Sequence, residues 1–158
     1  MNQSKELQAI IDLIPADFAD PDADYRAVRA MFAPFHGHPT SADLQVSITH
    51  YGGVRCGDFS LRGEAARITA FHCHGGAFVS TGLDEYHFYA EIIARHTGCR
   101  VVMPDYRLAP EQPWPAAADD CFNAYCGLLA QGTPASSIAL LGESCGGARN
   151  LVFELFPY

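Results

Sequence analysis

Residues 137–150 read SIALLGESCGGARN. The apolar run 137–142 predicts a strand, and a helix is expected to begin just after Ser144. Between them, Gly142-Glu143-Ser144-Cys145-Gly146 has the form G-x-S-x-G. A sharp strand-to-helix turn needs small residues two positions either side of the serine, and both are glycine here. Such a turn holds the serine Oγ over the carboxyl end of a sheet, where the N-terminus of the next helix favours developing negative charge. Ser144 is therefore a candidate nucleophile. These five residues alone also allow a tight glycine turn with an idle serine.

The elements upstream supply the context. Residues 67–73, RITAFHC, predict a strand, and 84–97 a helix with Asp84 at its cap and Gly98 closing it. A strand is expected at 99–104, and a helix at 116–130 after the Pro-Trp-Pro stop. Apolar strands alternating with helices imply an α/β fold, a mostly parallel sheet with helices on both faces. The alternating segments 44–51 and 54–62, joined by Gly52-Gly53, predict an antiparallel hairpin at its edge. Before any strand come two helical segments, 4–14 (Ser4 capping, Pro15 ending it) and about 22–32. They form either a cap over the sheet or a packing arm. The resulting division is 1–40 for this helical part and 41–158 for the α/β part.

Two further loops fall at the same end of the sheet as Ser144. The first follows the strand ending at Cys73 and reads His74-Gly75-Gly76-Ala77-Phe78. Small residues there let backbone N–H groups face a cavity, which acyl transfer needs where an oxyanion forms. Gly76 and Ala77 are the candidate donors, with the N–H of Cys145 as a third. His74 and Gly75 are expected to shape the loop; His74 can equally be an ordinary capping or core histidine. His72, one strand period earlier, is expected to face the same way in a structural role. The second loop, Asp105 to Pro115, places Arg107 between two carboxylates, Asp105 and Glu111, and suggests an ion network stiffened by three prolines. Asp119 and Asp120 are expected to be solvated or capping at the start of the next helix.

Composition removes several classes of function. The 158 residues are 49% hydrophobic and 18% charged, with a net charge of −8, as in a globular domain. No basic cluster suits a phosphate backbone, so no nucleic-acid partner is expected. The six cysteines lack the C-x-x-C spacing of metal or redox sites, so no metal site and no disulfide framework are expected. No apolar run approaches the ~18 residues of a membrane span. The N-terminus lacks the basic start and apolar run of a secretory signal, which makes the cytoplasm the expected location.

Together the three loops resemble the hormone-sensitive-lipase-like family of α/β-hydrolases, the carboxylesterase and acetyl-esterase type. The family's H-G-G-G falls on residues 74–77, with Phe78 at the aromatic position that follows. D-Y-R-L-A-P-E is matched in full by 105–111, and G-[DE]-S-A-G-G falls on 142–147. The resemblance covers residues 44–148. It implies hydrolysis of short to medium acyl esters, with no cofactor, through an acyl-serine on Ser144. Gly76, Ala77 and Cys145 would be the oxyanion-hole donors, and a small-molecule ester the substrate. The chain departs from the pattern twice. Ala77 replaces a glycine, adding a methyl beside the site, and Cys145 replaces an alanine in the elbow.

In this fold the acid and the histidine of the triad follow the serine. Every histidine here precedes Ser144: His36, His38, His50, His72, His74, His87 and His96. The chain is thus expected to be the N-terminal part of the fold, truncated after the nucleophile elbow. The strand at 137–142 would be central in a complete sheet, so one flank is expected to need a second chain or self-association to cover it. A catalytically inactive ligand-binding or interaction protein on the same scaffold is the alternative function.

Overall fold

A computed structural model of the chain describes residues 4–5, 24–37, 40–63 and 65–147. Residues 6–14 of the helix expected over 4–14, His38 and everything after Gly147 lie outside these residues. Helix α1 (Tyr25–Phe32) starts at Asp24, whose side chain accepts a hydrogen bond from the Arg26 N–H. Strands β1 (Leu44–Tyr51) and β2 (Val54–Leu61) form the expected antiparallel hairpin. Then follow β3 (Thr69–Cys73), α2 (Leu83–Thr97), β4 (Arg100–Pro104), α3 (Ala116–Ala130) and β5 (Ile138–Gly142).

The sheet order is β1-β2-β4-β3-β5. Strands β4, β3 and β5 run parallel, β2 runs against β4, and β1 turns back against β2. Only β2 therefore opposes the common direction. One face packs Phe59, Ala70, Val101 and Met103 against Leu83, Ala90 and Ala94 of α2. The other packs Cys56, Phe71, Cys73 and Val102 against Cys121, Ala124 and Leu128 of α3. The strand alternation assigns neighbours such as Ala70 and Phe71 to opposite faces, so both layers are needed to bury β3. All five β3 residues are buried. By contrast, β5 is only partly covered. Among the described residues it pairs with β3 alone, and Leu141 remains 37% exposed.

Two local expectations are corrected. Helix α2 begins one residue early, with Gly82 at the N-cap, and Asp84 lies inside the first turn beside Glu85. A carboxylate from another loop does the capping work, because Asp105 Oδ1 accepts from the Leu83 N–H at 3.1 Å. The ion network around Arg107 is also wired differently. Its guanidinium bonds Asp120 at 2.8 and 2.7 Å, and Asp120 further accepts the Arg107 backbone N–H at 2.9 Å. Asp120 is 7% exposed, so it is a buried anchor for the loop and not a solvated residue. Asp105 instead pairs with Arg55, and Glu111 with Arg29. Tertiary packing brought in partners distant in sequence, and these outcompeted the near neighbours.

Candidate active site

Strand β5 ends at Gly142, and the chain reverses into a helix within three residues. The Gly146 N–H bonds Glu143 O at 2.8 Å, and the Gly147 N–H bonds Ser144 O at 3.1 Å. Ser144 sits at the apex, exposed, with φ at 50°. For a residue with a Cβ this left-handed conformation costs roughly 1–2 kcal/mol, and the tight turn sustains it. A Cβ on Gly142 would lie 2.5 Å from Gly146 O, and one on Gly146 only 2.1 Å from Cys73 O and 2.6 Å from His74 O. The two glycines let the turn close and let the new helix press on the end of β3.

That contact brings the second loop to the serine. Cys73 pairs with Gly142 across the parallel ladder, so residues 74–77 leave the sheet beside residues 143–145. His74 is fully buried and stacks on Tyr106, with ring centroids 4.0 Å apart at 7°. Its Nδ1 lies 2.8 Å from Gly75 O, while Tyr106 Oη donates to His74 O at 2.7 Å. Thr81 Oγ1 donates to Gly75 O at 2.7 Å and Ser80 Oγ to Gly76 O at 2.9 Å. The loop is therefore tied down although Ala77, Phe78 and Thr81 all have positive φ, at 54°, 65° and 62°. Strain of this kind persists only where the surroundings over-determine it, and it collects at functional sites. Among the described residues, the N–H groups of Gly76, Ala77 and Cys145 find no acceptor.

A carboxylate and a phenol meet between the two loops. Tyr86 Oη of α2 donates to Glu143 Oε1, and a Cβ on Gly75 would crowd both groups. Burial, followed by this bond to an anion, raises the Tyr86 pKa. Beside the pair is a cavity of about 280 Å³ lined by Phe32, Glu85, Tyr86, Phe88, Tyr89 and Glu143. A second, of about 200 Å³, lies along Ala77 and Phe78 with Ala109, Gln112, Trp114 and Ala117. The lone tryptophan of the chain is thus a natural fluorescent reporter of this loop.

His72 shares the α2 side of the sheet with His74, its ring 5.2 Å from that of Tyr89. Burial pushes its pKa down from 6.5 to about 4, against the opposing pull of Glu143. The native state therefore keeps His72 neutral while the unfolded chain takes up a proton between pH 6.5 and 4. Stability rises with pH across that window and is lost as pH falls through it, by up to about 3 kcal/mol from this group. His72→Phe is expected to flatten the urea-unfolding free energy between those two pH values, leaving a smaller slope of the same sign from His87, whose pKa burial also lowers. An unchanged slope in the variant would remove His72 from the account.

The structure thus brings Ser144, Cys145, Gly76, Ala77, Gly75 and His74 to one end of three parallel strands. Sequence reasoning missed Tyr86, Tyr106 and Thr81 as loop supports. Tyr106 had a signal, since it lies inside the matched 105–111 segment, whereas nothing local marks Tyr86 or Thr81. Among the described residues no three His, Cys, Asp or Glu side chains converge on a metal position, and no helix is long and apolar enough to cross a membrane.

A serine elbow beside a strained glycine loop, on a sheet ordered in this way, defines the α/β-hydrolase class. The family model described as alpha/beta hydrolase fold matches residues 70–155. An esterase of Acinetobacter venetianus is 34% identical over 117 residues, covering 74% of this chain and 38% of that protein. Hormone-sensitive lipase of Bos taurus is 36% identical over 110 residues, covering 65% of this chain and 14% of that one. The crystal structure of an esterase from the bacterial hormone-sensitive lipase family superposes with a TM-score of 0.78 at 32% identity, over 99% of this chain and 55% of that chain. The chain belongs to the hormone-sensitive-lipase-like family of α/β-hydrolases, and it spans about half the length of that solved relative or less of the curated ones.

Proposed function

We propose that the protein carrying this chain hydrolyses carboxylic esters of short to medium acyl chains through an acyl-serine intermediate on Ser144. The observation that carries this reading is an exposed serine held at φ 50° beside three backbone N–H groups that find no acceptor among the described residues. Ser144 Oγ attacks the ester carbonyl carbon and its proton passes to a general base. The carbonyl oxygen becomes the oxyanion, held by the N–H groups of Gly76, Ala77 and Cys145. Collapse expels the alcohol, which takes the proton, and leaves the acyl-serine; water then releases the acid by the reverse arrangement. His74 serves as loop support in this scheme, because its ring is buried and stacked on Tyr106. In this scheme the base comes from outside the described residues, on the same polypeptide or on a second one.

The test is intact mass of the native protein before and after a fluorophosphonate probe. One adduct per chain supports an activated Ser144. Saturable binding of a short-chain ester analogue with no adduct favours the second reading, a binding protein on the same scaffold. The buried, already engaged ring of His74 favours that reading for the chain alone. A partner covering the flank of β5 that pairs with no described strand belongs to the same proposal, supported by the exposure of Ala139 and Leu141. Light scattering on the purified chain decides it: a stable monomer with a single cooperative unfolding transition argues against any such cover.

A further inference from the structure

Helix α1 lies far from the serine in sequence, yet one of its side chains reaches both loops around the site. Arg29 Nε donates to Val79 O at 2.7 Å, inside the strained 76–81 turn. Its Nη2 donates to Ala109 O at 3.0 Å, and Nη1 and Nη2 grip Glu111 as a fork at 2.8 and 2.7 Å. The two loops are themselves joined where the Ala109 N–H bonds Phe78 O at 2.8 Å. The Tyr25 ring, 4.8 Å from the guanidinium carbon, supports it from its own helix. One planar guanidinium therefore closes a three-way joint between helix α1, the 76–81 turn and the 105–115 loop. A lysine could keep the charge opposite Glu111 but could not reach acceptors on both loops in one plane.

We infer that Arg29 is a positioning residue, through which helix α1 holds the Gly76 and Ala77 N–H groups in place. Helix α1 is then part of the site's framework and not a passive arm. The inference deepens the acyl-serine reading and rests on it for the use of those N–H groups, whereas the tie itself can be measured without turnover. Val79 and Ser80 donate their N–H groups to Gly76 O at 3.0 and 2.9 Å, so their exchange with solvent reports the turn directly.

The experiment compares wild type, Arg29→Lys, Glu111→Gln and Arg67→Lys, the last on an exposed arginine outside this joint. In Arg29→Lys, exchange at Val79 and Ser80 is expected to quicken about tenfold, the effect of losing a charge-assisted hydrogen bond. Exchange at Val101–Met103 of β4 stays as in wild type, and the melting temperature stays close to it. Fluorophosphonate labelling of Ser144 slows about tenfold with the same final stoichiometry. Glu111→Gln, which leaves both carbonyl bonds, shows a smaller change in the same direction, and Arg67→Lys shows none. Unchanged exchange at Val79 and Ser80 in Arg29→Lys overturns the inference. So does faster exchange spread equally into β4, or faster loop exchange with an unaltered labelling rate. Faster loop exchange in a protein whose wild type never labels keeps the tie and removes the acyl-serine reading instead.

Discussion

Ser144→Ala is expected to abolish the fluorophosphonate adduct and to lower any ester hydrolysis by about 10⁴-fold or more. The substitution removes the one oxygen the elbow presents and leaves the turn intact, since alanine meets the same φ of 50° as serine. Stability should therefore hardly move. Ser144→Gly separates the two properties further. Glycine occupies positive φ without the Cβ penalty, so this variant should also be inert but about 1 kcal/mol more stable than the alanine variant, less the entropy glycine loses on folding. Urea unfolding of the pair beside intact-mass labelling makes the comparison. Retained hydrolysis in Ser144→Ala would mean that another protein in the preparation is the catalyst.

Gly146→Ala should be severely damaging for the addition of a single methyl. The new Cβ would lie 2.1 Å from Cys73 O and 2.6 Å from His74 O, both backbone atoms that no rotamer change can move. Relief requires the helix after the elbow to lift from β3, which breaks the β5 register and separates the two loops together. A cost above about 3 kcal/mol is expected, at the severe end for overpacking. Failure to accumulate as folded protein is an equally consistent result. Gly37→Ala is the control, because a Cβ there meets nothing within 4 Å although φ is +68°. It should cost only about 1–2 kcal/mol of backbone strain. Equal behaviour of the two variants would show that crowding at the elbow is not what demands glycine.

Most of the architecture was legible before any coordinates. β1 and α3 fall on the expected residues 44–51 and 116–130, and β2 and β5 differ by a single residue at one end. The reason is local: hydrophobic period, glycine at turns and proline before α3 act within a few residues of where they stand. Gly98, which closes α2 at φ 68°, is legible for the same reason. Partner choice was not legible. Arg107 lies two residues from Asp105 and four from Glu111, yet its guanidinium reaches Asp120, because the loop folds back over the start of α3. Asp84 had the residue type of a cap, but the carboxylate of Asp105 reached the helix start first.

The candidate site divides along the same line. The order of the segments, the small residues flanking Ser144 and the glycines after His74 are written in the chain, because each is a demand of its own turn. The positive φ of Ala77 and Phe78, the stacking of His74 on Tyr106, the Tyr86–Glu143 pair and the reach of Arg29 across 50 to 82 residues are not. These depend on which loops the parallel ladder sets side by side. A carbonyl or a guanidinium carries no signal in sequence for the partner it will meet. By itself the sequence determined the strands, the turns and the place of Ser144 in them. The tertiary structure alone decided which distant groups hold those turns in a strained shape, because hydrogen bonds are satisfied by proximity in space and not by spacing along the chain.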